Sequence, residues 1–118
     1  MNLETRLISD ALIITVHAAR IDAAAAVQFR DAMRAATKTG PGRVVLDLRP
    51  VQFLDSSGLG AIIGTMKHLA PRRLELAALQ PAVAKVFRLT RLDSVVMIHD
   101  RAEHAVPDAD WPGQAHAC

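Results

Sequence analysis

The stretch Phe53-Leu54-Asp55-Ser56-Ser57-Gly58-Leu59-Gly60 places one carboxylate, two hydroxyls and two glycines at a single joint between apolar runs. Four kinds of chemistry use such residues: a helix cap, an activated nucleophile, a phosphate cradle, or a hydroxyl that carries a modification. A cap needs only one of Asp55, Ser56 or Ser57, ahead of a helix beginning near residue 57. That leaves the glycines unexplained, since Gly inside a helix costs about 0.8–1 kcal/mol against Ala. Close helix–sheet packing is the expected reason for Gly60 and Gly64. For Gly58, at the helix mouth, the expectation is room for another molecule's backbone or a phosphate.

The enzymatic alternatives lack parts. A dinucleotide fingerprint built on Gly58 and Gly60 wants Gly or Ala at position 63, which is Ile63; Gly64 falls one residue late, although Glu75 lies on the following strand. No Gly-Lys-Ser/Thr is present for a phosphate-loop NTPase. A hydrolytic serine wants Gly-x-Ser-x-Gly and a histidine base. Here residue 55 is Asp, and His17, His68 and His99 show no pairing with a serine and no metal-ligand spacing. No catalytic residue, metal or cofactor is therefore expected. A regulated hydroxyl uses the acid, a serine and Gly58 together. A helix N-terminus favours negative charge, and a phosphate there adds about −1.5 to −2 charge at neutral pH. Beside Asp55, with Asp22 as a neighbour, such a patch would repel a docking partner without unfolding the domain.

The 118 residues suit one domain, and a hydrophobic content of 51% suits one core. With three Phe, one Trp and no Tyr, that core must be aliphatic. Fourteen basic and twelve acidic residues give a formal charge of only +2. Bases and acids are interspersed, and aromatics for stacking are scarce, so nucleic acid is not the expected partner. Arg72, Arg73, Lys85, Arg88 and Arg91 are read as a solvated face. The single cysteine, Cys118, permits no intrachain disulfide. MNLETRLISD lacks a basic region followed by an apolar stretch, and no segment approaches about 20 apolar residues. The expected location is the cytoplasm, without membrane insertion.

Periodicity supplies the elements that must hold the joint. Residues 3–9 and 11–18 read as adjacent strands split by Ser9-Asp10, with Ile13-Ile14-Thr15-Val16 strongly β-forming. Asp22 caps a helix whose inner stripe is Ala26, Phe29, Met33 and Ala36, ending before Gly40-Pro41-Gly42. Residues 43–48 form a strand, and Leu59, Ile62, Ile63, Met66 and Leu69 mark a second helix, ended by Pro71. Leu74–Leu79 is a strand. Pro81 opens a third helix with Val83, Val86 and Phe87 inward, and Val95–Ile98 is the last strand. Residues 100–106 add a helical turn or two. The order β-β-α-β-α-β-α-β implies one α/β domain over residues 1–106, a small mixed sheet with helices packed on it and a short C-terminal helix. Residues 107–118 are expected to form a flexible tail, with Trp111 as its one docking side chain.

VVLDLRPVQFLDSSGLGAIIGTMKHL resembles the signature of the STAS family, the sulfate-transporter and anti-sigma-factor-antagonist domains. Arg20-Ile21-Asp22-Ala23 resembles the family's entry into its first helix, without the Gly often found there. LELAALQPAVAKVFRLTRLDSVVMIHD resembles its closing strand–helix–strand half. The resemblance covers residues 3 to about 105. It implies a stand-alone anti-sigma factor antagonist that binds an anti-sigma factor acting as a serine kinase, and so frees the sigma factor. That kinase would phosphorylate the serine directly before Gly, here Ser57, and a metal-dependent phosphatase would reverse it. Asp55, Ser56, Gly58 and Leu59, with Asp22 at the neighbouring junction, would contact the partner. The chain itself would be a substrate and not an enzyme. The alternative implied by the resemblance is an accessory subunit of a lipid-transport ATPase or a component of a stress-signalling scaffold.

Overall fold

Alternating side chains sort each strand into two faces, and the connections decide what covers each face. The computed structural model describes residues 1–113. A hairpin of β1 (Leu3–Ile8) and β2 (Ala11–Val16) leads through a two-residue strand, β3 (Arg20–Ile21), into α1 (Ala23–Ala36). Then come β4 (Arg43–Asp47), a second two-residue strand β5 (Phe53–Leu54), α2 (Ser56–Leu69), β6 (Arg73–Ala77), α3 (Pro81–Leu89) and β7 (Ile98–His99). The main sheet runs β1-β2-β4-β6-β7; only the β1–β2 pair is antiparallel. After β2, each successive main-sheet strand is added on the same side, so right-handed crossovers put all three helices on one face.

That face carries the main core. Ile14 and Val16 of β2, Val44 and Leu46 of β4, and Leu74 and Leu76 of β6 meet Phe29 and Met33 of α1, Ile62 and Leu69 of α2, and Val83 and Phe87 of α3. The helical stripes expected from spacing are the buried ones, except that Ala36, Leu59, Ile63, Met66 and Val86 are only half-buried. Among the described residues no α-helix covers the opposite face. Ile13, Val45 and Ala77 are covered there by Ala102, Ala105 and Val106, with Trp111 packed against them. The expected short C-terminal helix is a 3-10 turn at Ala102–Ala105. As far as Gly113, the expected tail makes a further 3-10 turn, Asp108–Asp110, and Trp111 lies under the Arg6 guanidinium at 4.8 Å. Cys118 lies outside the described residues.

The main-sheet frame matches the order expected from periodicity, with three local differences. The pair β3–β5 forms a separate parallel sheet, Arg20 opposite Phe53 and Ile21 opposite Leu54. The strand expected at Leu74–Leu79 ends at Ala77, because Ala78 turns the backbone to φ +59°. The last strand begins at Ile98 rather than Val95. Arg91 leaves α3 at φ +61° and Leu92–Ser94 continue as a 3-10 turn, which leaves Val95 and Met97 exposed.

A polar cluster is built into the helix-free face. Arg43 donates from Nε and Nη2 to the two oxygens of buried Glu75, each at 2.8 Å. Its Nη1 reaches Asp10 at 2.7 Å, and Nη2 also reaches the Ala105 carbonyl at 2.8 Å. His99 Nε2 lies 2.8 Å from Glu75. One guanidinium thus ties β4 to β6, to the β1–β2 turn and to the covering segment. The Arg43 hydrogen bonds, and then that of His99, outweigh burial and hold the Glu75 carboxyl at about 2, below its ordinary 4.5. Arg43→Met leaves Glu75 buried without its cation and is expected to cost about 3 kcal/mol or more, read from the urea midpoint. The sign of the pH effect follows from the lowered value. The unfolded chain binds the proton first, so Glu75 contributes stability above about 4.5 that is lost as pH falls towards 2. The stability gap between wild type and Glu75→Gln should therefore narrow across that window.

Candidate functional site

The joint is assembled from β3, β5 and the first turns of α1 and α2. Asp55 is extended (φ −97°, ψ −175°) and accepts the Gly58 N–H on Oδ1 at 2.9 Å. Of the three cap candidates, Asp55 is therefore the one that caps α2. Its second oxygen, Oδ2, accepts the Ala23 N–H of α1 at 3.0 Å. One carboxylate holds amides from the N-termini of both helices. Asp22, the expected cap of α1, accepts the Ala25 N–H at 3.2 Å and receives Arg20 Nε at 3.4 Å. The Arg20 guanidinium lies 4.1 Å from the centre of the Phe53 ring, its cross-strand partner.

Gly58 is buried, and the reason differs from the sequence expectation. A Cβ there would overlap the Ile21 carbonyl oxygen and lie 2.7 Å from Leu54 Cδ1. The molecule whose backbone comes close is this chain itself: β3 passes directly over the first turn of α2. Gly60 and Gly64 also differ from expectation. A side chain at Gly60 would meet open space, and one at Gly64 would face Arg30 of α1 at 4.0 Å, so neither is forced by the sheet.

The remaining expected contact residues separate by exposure. Ser56 and Ser57 are exposed, Asp22 and Asp55 are half-buried, and Leu59 is half-buried against the main core. Asp55 takes the Gly58 amide and leaves those of Ser56 and Ser57 at the open end of the helix. Three residues join the site that spacing did not indicate: Arg20, Phe53, which is 38% exposed, and Val27, which is 56% exposed one turn beyond Ala23. An aromatic two residues before a cap was the only available signal for Phe53; its exposure depends on pairing with β3.

His17 is bonded to Glu4 and His99 to Glu75. His68 stands eleven residues after Ser57 on the same helix, about 16 Å along the axis. Among the described residues no cluster of three His, Cys, Asp or Glu could hold a metal, and no helix is long and apolar enough to cross a membrane. The arrangement presents hydroxyls at paired helix N-termini, next to two carboxylates and an exposed Arg–Phe stack.

Fold and site together define a small α/β domain that displays a hydroxyl-bearing loop on a rigid helix pair. Residues 2–105 match the STAS domain, and the chain belongs to that family. It is 32% identical over 69 residues to an anti-sigma F factor antagonist of Paenibacillus polymyxa, covering 57% of this chain and 59% of that protein. It is 32% identical over 84 residues to an anti-sigma-B factor antagonist of Listeria monocytogenes, covering 69% and 73%. The chain thus spans under two thirds of the first relative and nearly three quarters of the second. The Bacillus cell fate determinant SpoIIAA, solved in its phosphorylated form, shares the fold with TM-score 0.65 at 23% identity, covering 88% of this chain and 96% of its own.

Two substitutions test the internal construction. Asp55→Ala removes a cap from α2 and a bond to α1, and should cost about 1–3 kcal/mol in urea unfolding. Gly58→Ala must displace β3 or α2 and should destabilise by about 1–3 kcal/mol. Full stability of Gly58→Ala, combined with loss of partner binding, would return Gly58 to the outer surface role.

Proposed function

We propose that this chain is an anti-sigma factor antagonist. It binds an anti-sigma factor that is also a serine kinase, and is switched off by phosphorylation of Ser57. The observation that carries the reading is the placement of Ser57: an exposed hydroxyl in the first turn of α2, beside the carboxylate shared by both helices. What supports it further is the family membership, two relatives named as antagonists, and a neighbour of the same fold solved with a phosphate. Ser57 is chosen over Ser56 because it directly precedes Gly58, the acceptor position that the STAS resemblance implies.

The physical account starts from what the hydroxyl does not do. The Ser57 side chain makes no hydrogen bond to the described residues, so modifying it removes no internal contact. The free amides of the first turn and the helix dipole favour an anion there, by about 0.3–1 kcal/mol for an exposed group. Fold stability is therefore unchanged or slightly raised. The outward effect is opposite in sign. About two added negative charges beside Asp22 and Asp55 repel an acidic partner surface and must be desolvated by any docking surface. Phe53, Val27 and the Arg20 stack form the apolar and cationic margin of the contact. ATP, magnesium and the transfer chemistry belong to the kinase, and hydrolysis belongs to a metal-dependent phosphatase; this chain serves as substrate for both in the cytoplasm.

The test uses bait proteins in extracts of the cells of origin, with bound proteins identified by mass spectrometry. Wild type and Ser57→Ala should both retain a kinase-type anti-sigma factor, and Ser57→Asp should lose it by about tenfold or more, equivalent to 1.4 kcal/mol or more. Incubation with that partner and ATP should label wild type and Ser56→Ala but not Ser57→Ala. Equal retention of a transporter ATPase or scaffold protein by all baits would favour the accessory-subunit role in its place.

A further inference from the structure

At the other end of the helix pair, the C-terminal halves of α1 and α2 enclose a groove of two adjoining hollows, about 480 and 70 Å³, that share Arg34, Thr37 and His68. Arg30, Lys38 and Arg72 complete its cationic lining, and among the described residues no carboxylate lines either hollow. Among the described residues, none of Arg30, Arg34, Lys38 and His68 has an ion-pair partner. Acids are nearly as numerous as bases in the chain, so this segregation is local.

We propose that this groove binds a small, soluble, phosphate-bearing polyanion. Arg72 forms a fixed wall of the groove: Nε donates to the Pro41 carbonyl at 2.9 Å and Nη1 to the Thr37 carbonyl at 2.6 Å, and its buried Nη2 lies on the Gly40 side. Two features point to a ligand beyond a solvated basic face. Arg30 and Arg34 stand four residues apart on one helix, a like-charge pair that repels until an anion lies between them. Helix C-termini do favour cations, but only within the last turn. Arg30 lies seven residues before the α1 cap at Thr37 and is outside that range.

Gly64 lines the smaller hollow, where a Cβ would sit at ordinary contact distance, 4.0 Å, from the Arg30 side chain. The hydroxyls of Thr37 and Thr65 are committed to the Met33 and Ala61 carbonyls, so recognition rests on the cations. Several clustered positive groups suit an anion of multiple charge, and guanidinium forks match phosphate oxygens. Among the described residues no aromatic side chain lines the groove, so a base or ring attached to the phosphates would go unread. The site lies about 16 Å along α2 from Ser57, and the inference stands independently of the switch.

Inorganic pyrophosphate and tripolyphosphate are the probes, titrated calorimetrically into the full chain at about 50 mM salt, where exposed charges are weakly screened. The comparison is between Arg30→Gln/Arg34→Gln and Lys85→Gln/Arg88→Gln, which removes the same charge from exposed positions on α3. Pyrophosphate should bind, more weakly than tripolyphosphate, and the groove variant should lose at least about tenfold while the α3 variant changes less than about twofold. Both variants should keep the wild-type melting temperature. Sedimentation with phosphatidylglycerol–phosphatidylcholine vesicles separates the two sources of phosphate. Absence of pyrophosphate binding, equal loss in the two variants, or capture by vesicles without binding of the free anion would each overturn the proposal.

Discussion

Asp55 accepts one amide from α2 and one from α1, and the geometry of the loop depends on that shared carboxylate. Both helices begin where their positive dipole ends meet, an arrangement that like charges alone would disfavour. An anion between the two N-termini offsets the repulsion and fixes their spacing. Asp22 and the β3–β5 pair add a second and third constraint at the same point. Gly58 is what makes the three compatible, because only a residue without Cβ lets β3 cross the first turn of α2. Ser56 and Ser57 are then exposed as a consequence: the capping role is already filled by Asp55, and their side chains have nothing internal to do.

The rest of the fold isolates this loop from the sources of stability. Strands added in one direction place every helix on one face, and the main core forms there. The second face is covered by a segment with little apolar area, and polar contacts compensate. Arg43 reaches Glu75, Asp10 and the Ala105 carbonyl, and Thr15 donates to Asp47 at 3.1 Å across the β2–β4 pair. These bonds lie in the sheet and its cover, while the serines project from the far ends of the crossovers. Charge added at the loop therefore leaves these bonds undisturbed.

Much of the frame was legible because it depends on period and on single residues. The stripe Ala26, Phe29 and Met33 faces the sheet as its spacing requires, and Asp22 caps the helix that follows it. The joint was legible as a joint, since an acid, hydroxyls and glycines have few uses together. Its internal design was not. The role of Asp55 toward Ala23 joins residues 32 apart in sequence, and the two-residue strands are too short to have a period. Gly58 was read outward because a sequence cannot tell an approaching ligand from an approaching segment of the same chain. Arg43 and Glu75 were read as a strand start and a strand acid; only the parallel register of β4 and β6 makes them partners. Val95 falls outside the last strand, because the left-handed turn at Arg91 is a backbone event that carries no apolar signature.

Parallel alignment gives the helix pair opposite electrostatic needs at its two ends. α1 and α2 each have 14 residues, about 21 Å, with N-termini meeting at Asp55 and C-termini meeting near Thr37 and Arg72. Carboxylates collect at the first end and guanidinium groups at the second, as two aligned dipoles demand. At the first end the demand is met from within, by Asp22 and Asp55, and Ser56 and Ser57 remain exposed. At the second end it is exceeded, since Arg30 and Lys38 add charge beyond what Arg72 and the last-turn residues supply to the carbonyls. The same helix geometry thus produces one end whose charges are spent on the fold and one end whose charges are not. Surplus charge of that kind has no structural use, and its natural complement is an anion from outside the chain.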